Sequence, residues 1–566
     1  MQIKIFDNRY GIVTLLQVLC VASLAYLTLM PVEERWAEAD ILLACMVPAL
    51  CGVGAVGLIL GKGRMGITVT DMLIVAWFAY YVGRTWVGAD YPCRTEFLKG
   101  TVMFLLYGTL RMVFGGRQLS GWVLTGALLV CGCYEALSGI AQMVNGTSRH
   151  GVYLLTGNFQ NPGPYSAYLM MGIAAGLAAL CPSCSYRKAR WPVMLSVAVM
   201  AIVLPATWSR AAFLGVAIAA LWICRRYYWK YRYAVWGSLL LAALLFYYIK
   251  QGSADGRIII WRAALAAWQD APWLGVGTDG FCHAVAGGMA RLHDGGMDLS
   301  SAGVTDNAYN ILLKILVEQG IVGVAFAVAL CASVLPVLYR NGRPQFYAML
   351  SLLVFSMFSY PFDLLPYNII AVMMVAWSES VGGRTLSGTG RVVPLLLAVC
   401  LAVAGWQTCR LVRESREADE GYGLIRGICD EAFTRDYYEL LPMEGDNANF
   451  LFDFGKILRQ SGRYNDSNAM LSQGTQCSAD PMFYVLIGNN YRDMRLYGLA
   501  EQAYRRAFAV MPNRLYPLYQ LMLMYDEMGD GNGAKAMAKR IIEMKPKIES
   551  PATREMKEKA QRLLLY

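Results

Sequence analysis

Apolar residues along this chain gather in blocks at roughly 11–30, 41–61, 68–88, 97–114, 119–142, 164–181, 191–207, 211–224, 233–249, 307–338, 345–361, 364–379 and 392–409. Most blocks approach the roughly 20 residues that a helix needs to cross a hydrocarbon core. The pattern predicts an all-α fold, a polytopic membrane helix bundle of about thirteen transmembrane helices over residues 1–410. The block at 364–379 is interrupted by Pro366; if it re-enters rather than spans, everything after it changes sides.

Beyond residue 410 the composition becomes that of a soluble domain, and from Pro481 the sequence repeats at a period of 34. Gly488, Tyr491, Ala500, Tyr504, Ala507 and Pro512 recur as Met522, Tyr525, Ala534, Ala538, Ile541 and Pro546, which matches the small, aromatic and proline positions of a TPR hairpin. Gly455, Leu458 and Gly462 to Tyr464 form a degenerate third copy. Residues 411–566 are thus expected to fold as a TPR-like α-solenoid. Its helices either offer a concave groove to a peptide or protein, or simply pack on the membrane domain.

Charge orients the bundle. Lys62 and Arg64, Arg111 and Arg117, Arg187 to Arg190, Arg225 to Arg232, Arg340 and Arg343, and Arg384 and Arg391 fill every second gap, which the positive-inside rule makes cytoplasmic. The other gaps are acidic, as in Pro31 to Asp40, or long, as at 143–163 and about 250–306, and face outward. An odd number of crossings leaves residues 411–566 outside, in the periplasm of a bacterial inner-membrane protein.

Composition sharpens this picture. With 57% hydrophobic and 16% charged residues and a mean hydropathy of +0.39, the 566-residue chain is too apolar for a soluble protein. Its net charge of +10 is scattered among the gaps rather than gathered on one face, so nucleic acid is not an expected partner. Most of the 15 cysteines lie inside apolar blocks without metal-ligand spacing, and neither a metal nor a cofactor is expected.

Charged residues inside apolar helices cost about 2.5–3.5 kcal/mol each, so Arg84, Lys99, Glu135, Lys314 and Glu318 are either functional or buried structural pairs. The outward gaps carry a second set of candidates. Thr156 to Pro162 includes Asn158, Gln160 and Asn161, polar groups suited to substrate contact. Trp208-Ser209-Arg210 occupies a tight turn, and Gly256-Arg257 precedes Trp261-Arg262. Ala271 to Gly277, then Asp306 to Asn310 leading into Glu318-Gln319-Gly320, complete the set. Arg210 and Arg257 converge on one side of the bilayer, where guanidinium forks suit a lipid pyrophosphate; the alternative is that each snorkels to the headgroups. Arg257 and Trp261 would share a helix face, whereas Arg262 lies about 140° around from Arg257.

These motifs, in this order over roughly residues 11–410, resemble the superfamily of O-antigen ligases, O-antigen polymerases and bacterial protein O-oligosaccharyltransferases. The resemblance implies a GT-C-type membrane glycosyltransferase that moves a glycan from an undecaprenyl pyrophosphate carrier to an acceptor hydroxyl at the periplasmic face. It also implies that Arg210 and Arg257, with Arg262 as a further candidate, hold the pyrophosphate. Where ligases of the family show His-Asn, this chain has Tyr309-Asn310, so the family's base is missing. Asp306, three and four residues earlier, would share a helix face with Tyr309 and Asn310 and orient or deprotonate the acceptor, or else cap the helix. His293 is a second candidate; His150 and His283 are the chain's other histidines, also in outward gaps. Neutralised pyrophosphate could also leave without any base. The outward repeats favour a protein acceptor over a glycolipid or a growing polymer. A lipid-linked-sugar transporter and a periplasmic scaffold are the alternatives outside the family.

Overall fold

The computed structural model describes all residues except 1, 33–34, 62–65, 87–92, 182–188, 225–229, 234–236, 238–250, 300, 302, 304–306, 384, 389–391, 429–430, 546–548 and 566. The predicted span at 233–249, Pro546 of the repeat and Asp306 lie largely or wholly outside the described residues.

The membrane part is a helix bundle. In chain order it comprises α1 (Gln2–Leu27), α2 (Glu38–Gly61), α3 (Val69–Trp86), α4 (Arg94–Gly115), α5 (Gly121–Asn145), α6 (Pro162–Ala179), α7 (Arg190–Val203) and α8 (Arg210–Ile223). A helical pair, α9 (Gln251–Trp268) and α10 (Phe281–Asp294), precedes α11 (Ile311–Asn341), α12 (Arg343–Ser356), α13 (Leu365–Gly382) and α14 (Val392–Ile425). Six helices among the described residues are long and apolar enough to cross a membrane: α2, α4, α5, α7 with its 3-10 extension, α11 and α14. One continuous apolar core runs from Cys20 to Val412. The bundle exterior exposes Leu15, Val56, Val130, Leu195, Val399 and Trp406, a surface that lipid must cover.

Local chemistry sets the helix ends. Ser120 caps α5, which stops at Gly146 in the left-handed conformation, and Asn161 caps α6 with Pro162 in its first turn. Pro366 sits in the first turn of α13 rather than interrupting it, because a proline there loses no helical hydrogen bond. The all-α expectation has one small exception: β1 (Gly66–Thr68) pairs antiparallel with β2 (Thr385–Gly388).

The helix ends sort onto two faces. At one, β1 meets β2, Arg117 reaches Thr14, and the Trp377 indole donates to the Leu119 carbonyl. Arg111, read from sequence as a gap residue, is instead buried in α4, where its guanidinium makes a two-pronged pair with Asp71 at 2.8 and 2.9 Å. At the other face the 31–37 segment, the α9–α10 pair and the C-terminal domain gather.

The C-terminal domain follows the long helix α14, which runs through residue 410 and delivers Tyr422 and Ile425 into a separate core. After α15 (Thr434–Glu444) come three antiparallel hairpins: α16 (Ala448–Gln460) with α17 (Tyr464–Cys477), α18 (Met482–Asp493) with α19 (Tyr497–Val510), and α20 (Tyr516–Glu527) with α21 (Gly531–Glu543), closed by α22 (Pro551–Leu565). The small positions of the repeat are contact points, since a Cβ at Gly488 would overlap the Tyr504 ring and one at Gly455 would overlap Leu471. The degenerate copy is therefore a full hairpin, and the domain is a TPR-like α-solenoid.

Candidate functional site

The site forms where α8, α9, the start of α11 and the α12–α13 turn meet. Arg210 is the first residue of α8, behind the N-cap Ser209 and behind Trp208, whose φ of +50° is left-handed. On α9, Arg257 donates from Nη1 to the Phe358 carbonyl at 2.9 Å, and its guanidinium lies 5.0 Å from the centre of the Tyr309 ring. Tyr309 meets Tyr360 edge-on, 5.7 Å between centres. Burial, and then the positive charge of Arg210, lower the Arg257 pKa from its usual value. Among the described residues no carboxylate lies within ion-pair distance of Arg257.

One turn along α9, the Trp261 indole donates to the Ala308 carbonyl at 2.9 Å and its ring approaches Phe358. Arg257 and Trp261 thus address the same two segments. Arg262 does not join them: it is exposed and points to the Met297 sulfur at 3.9 Å. Asn310 is the N-cap of α11, its side chain accepting from the Leu313 amide at 3.2 Å. The helix begins only at Ile311, which corrects the expectation that Tyr309 and Asn310 share a helix face with Asp306; Tyr309, with φ of +50°, lies in the turn before it.

Beside this cluster opens a cavity of about 1400 Å³. Apolar side chains line part of it, among them Trp77, Phe78, Phe104, Val328 and Val372, and polar ones line the rest, among them Gln160, Asn161, Tyr309, Tyr360, Asp279 and Glu318. Lys314 bonds Asp363 at 2.7 Å there, and Lys99 lies 3.5 Å from Glu96. Those two lysines are paired charges rather than free ones.

The Thr156–Pro162 motif is mostly architecture. Gln142 accepts from the Thr156 and Gly157 amides and donates to the Gly157 carbonyl, while the Asn158 side chain bonds Glu135 at 2.8 Å and the Leu29 carbonyl at 2.6 Å. Glu135 is thereby explained as a buried partner of this loop. Asn161 caps α6, although with Gln160 it also lines the cavity.

Ala271 to Gly277 and Glu318 to Gly320 turn out to be partners. The Val276 and Gly277 amides donate to the Val317 and Glu318 carbonyls, both at 2.9 Å, and the Ile321 amide donates to the Pro272 carbonyl at 3.0 Å. Gly320, at φ +65° and ψ −164°, breaks α11 at this point. Arg84 bonds the Gly275 carbonyl at 2.6 Å, and Trp77 and Tyr80 bond Gln319. The interrupted helix therefore leaves its backbone groups satisfied by protein.

Of the histidines, His293 lies at the end of α10, 3.3 Å from Asp294 and edge-on to Phe508 of α19, so it faces the C-terminal domain. His283 contacts the Thr475 carbonyl at 2.8 Å, and His150 sits in an exposed turn.

Residues 195–328 match the family model described as O-antigen ligase. This stretch of the chain is similar to O-antigen ligases. The matched stretch contains Arg210, Arg257, Tyr309 and the broken helix at Gly320, and it stops short of the C-terminal hairpins. The O-antigen ligase description of that family fits a chain with several helices of membrane-crossing length and apolarity. No curated protein matches the chain. Two crystal structures of MamA are similar to it at 20% and 23% identity, covering 27% and 23% of this chain and 88% and 84% of theirs, with TM-scores of 0.22 and 0.19.

Some residues of the candidate site gave no signal in the sequence. Phe358, Tyr360 and Asp363 come from a short connection that no motif marked. Arg35 lay unremarked in an acidic gap, yet it holds the C-terminal domain through Glu444 and Asp446.

Proposed function

We propose that this protein transfers a glycan from an undecaprenyl-pyrophosphate carrier to serine or threonine hydroxyls of a protein acceptor at the periplasmic face of the inner membrane. The observation that carries this reading is Arg257: a half-buried guanidinium with no carboxylate in ion-pair reach among the described residues, within the electrostatic reach of Arg210. Two like charges brought together away from bulk water are unfavourable unless an anion sits between them, and a pyrophosphate supplies one with geometry for both forks. The apolar side chains of the cavity suit the carrier's isoprenoid chain, and its polar ones suit the sugar.

In this reading the protein's part is electrostatic. Arg210 and Arg257 neutralise the charge that grows on the pyrophosphate as its bond to the sugar breaks, which makes it a better leaving group. Tyr309 stacks against Arg257 and fixes the plane of its fork. The C-terminal hairpins favour a protein acceptor over a glycolipid or a polymer end, since grooves of this kind hold extended peptides and helices.

The test is mass spectrometry of periplasmic proteins and of lipopolysaccharide from cells with and without the gene. Glycans lost from Ser or Thr peptides support the proposal. Loss from lipopolysaccharide alone assigns the glycolipid-ligase role instead.

A further inference from the structure

A second cavity, of about 480 Å³, lies between the membrane and C-terminal domains. Arg35, Cys93 and Thr95 form one wall; Asp419, Tyr422 and Asn449 form the other. Four residues line both this cleft and the large cavity: Trp36, Glu96, Lys99 and Asp279. The two spaces therefore meet at these side chains. Of the two carboxylates at the junction, Glu96 is paired with Lys99, whereas Asp279 has no cation within ion-pair distance among the described residues. Its hydrogen-bonding neighbour is the Cys93 thiol.

Asp279 is also held in place. Its φ of +61° is left-handed, a conformation that costs a non-glycine residue free energy and persists where the surroundings enforce it. The two residues before it are anchored: the Gly277 amide bonds the Glu318 carbonyl, and the Thr85 hydroxyl donates to that of Thr278 at 3.0 Å. Among the described residues, three of the four non-glycine residues with positive φ, namely Trp208, Asp279 and Tyr309, belong to the donor site or its cavity.

We infer that Asp279 is the base for transfer, and that the acceptor reaches it through the cleft between the Arg35 segment and the C-terminal domain. This rests on the glycan-transfer reading above. In the step, the acceptor hydroxyl gives its proton to the Asp279 carboxylate and its oxygen bonds to the sugar's anomeric carbon. The bond from that carbon to the pyrophosphate oxygen breaks, and its electron pair leaves with the lipid pyrophosphate. No other reactant is needed. The assignment supplies the proton acceptor that Tyr309-Asn310 does not.

Burial, and then the negative charge of Glu96, push the Asp279 carboxyl up to about 7, near the pH at which a base works best. The groups facing it are Cys93 and Glu96 at the start of α4 and Tyr81 on α3. Lys314 and Glu318 face it from α11, and Asp446 and Cys477 from the C-terminal domain. Lys314 favours the ionised form and the carboxylates oppose it.

The test uses full-length protein in nanodiscs, lipid-linked glycan extracted from the native cells, and an acceptor peptide. Asp279→Asn is expected to slow transfer by about 10²–10⁴-fold with unchanged binding of undecaprenyl pyrophosphate, and Asp279→Glu to recover part of the rate. Because the base works ionised, wild-type activity should rise with pH through about 7, and the residual activity of Asp279→Asn should lack that limb. Transfer by Asp279→Asn at more than half the wild-type rate, or the same pH limb, overturns the assignment alone. So does lost undecaprenyl pyrophosphate binding in that variant, which would mark a structural role. Wild-type protein that transfers no glycan overturns the transfer reading as well.

Discussion

The guanidinium of Arg257 lies over the ring of Tyr309, 5.0 Å from its centre, while its Nη1 is tied to the Phe358 carbonyl at 2.9 Å. The ring and the carbonyl fix the fork without neutralising it, which leaves its charge for an anion. A cation over an aromatic ring contributes about 0.5–2 kcal/mol, and the hydroxyl of Tyr309 adds little to that. Tyr309→Phe should therefore transfer glycan at close to the wild-type rate, and Tyr309→Leu about 10-fold slower. Equal rates in the two variants would show that the ring does not position Arg257.

Arg257→Ala and Arg210→Ala should each lower transfer by about 10²–10³-fold, the usual consequence of deleting one group that stabilises developing charge. Arg257→Ala should still insert and fold, because among the described residues Arg257 makes no ion pair. Arg257→Lys should recover little, since an ammonium offers neither the planar fork nor the stack on Tyr309. Full activity in both alanine variants would remove the pyrophosphate site. Labelling that placed either position on the cytoplasmic side would do the same.

Gly320 should tolerate no side chain. Its φ of +65° with ψ of −164° belongs to a region that only glycine occupies readily, and a Cβ there would overlap the Trp273 carbonyl. Gly320→Ala is expected to cost about 3 kcal/mol or more, read as a clear fall in the thermal midpoint of the purified protein. Because α11 carries Asn310 at its cap and Glu318 at the cavity, transfer should fall with it. An unchanged midpoint would mean that the 271–277 segment yields to the added methyl.

What the sequence made legible follows the range of the forces involved. Hydropathy acts over a whole span, so the helix bundle was readable from the apolar blocks. The repeat was readable because Gly488 against Tyr504 and Gly455 against Leu471 demand small residues at fixed spacing. At the site, Arg257 and Trp261 shared a face as helical geometry required, and Arg262 fell elsewhere. Asn158 looked like a substrate contact because a polar loop residue carries no mark of its partner, which is Glu135, 23 positions away. Tyr360 and Asp279 gave no signal for the same reason, since each gains its setting only from helices distant in sequence. The break in α11 was also hidden: Glu318-Gln319-Gly320 reads as ordinary helix until the 271–277 segment lies against it.

The Arg35 latch provides the last prediction. Its guanidinium bonds both Glu444 and Asp446, lies 3.6 Å from Asp419, and reaches Thr95 at 3.0 Å, so one side chain joins the α1–α2 segment to the C-terminal domain. Asp446 in turn accepts from the Thr95 amide at 2.7 Å, at the start of α4. Glu444 is fully buried and Asp446 nearly so. Removing the cation strands two carboxylates away from water, a loss of about 3–5 kcal/mol when one partner of a buried pair is deleted. Arg35→Ala should therefore loosen the domain without unfolding its hairpins, whose cores are their own. Hydrogen exchange should accelerate in 434–446 and at the start of α4 while α18 to α21 stay protected. Arg35→Glu combined with Glu444→Arg should restore part of the protection, because the ion pair returns reversed. If exchange in 434–446 matched wild type in Arg35→Ala, contacts such as those of Cys282 and Ala286 with Ala479 and Val510 would be enough to hold the domain without the latch.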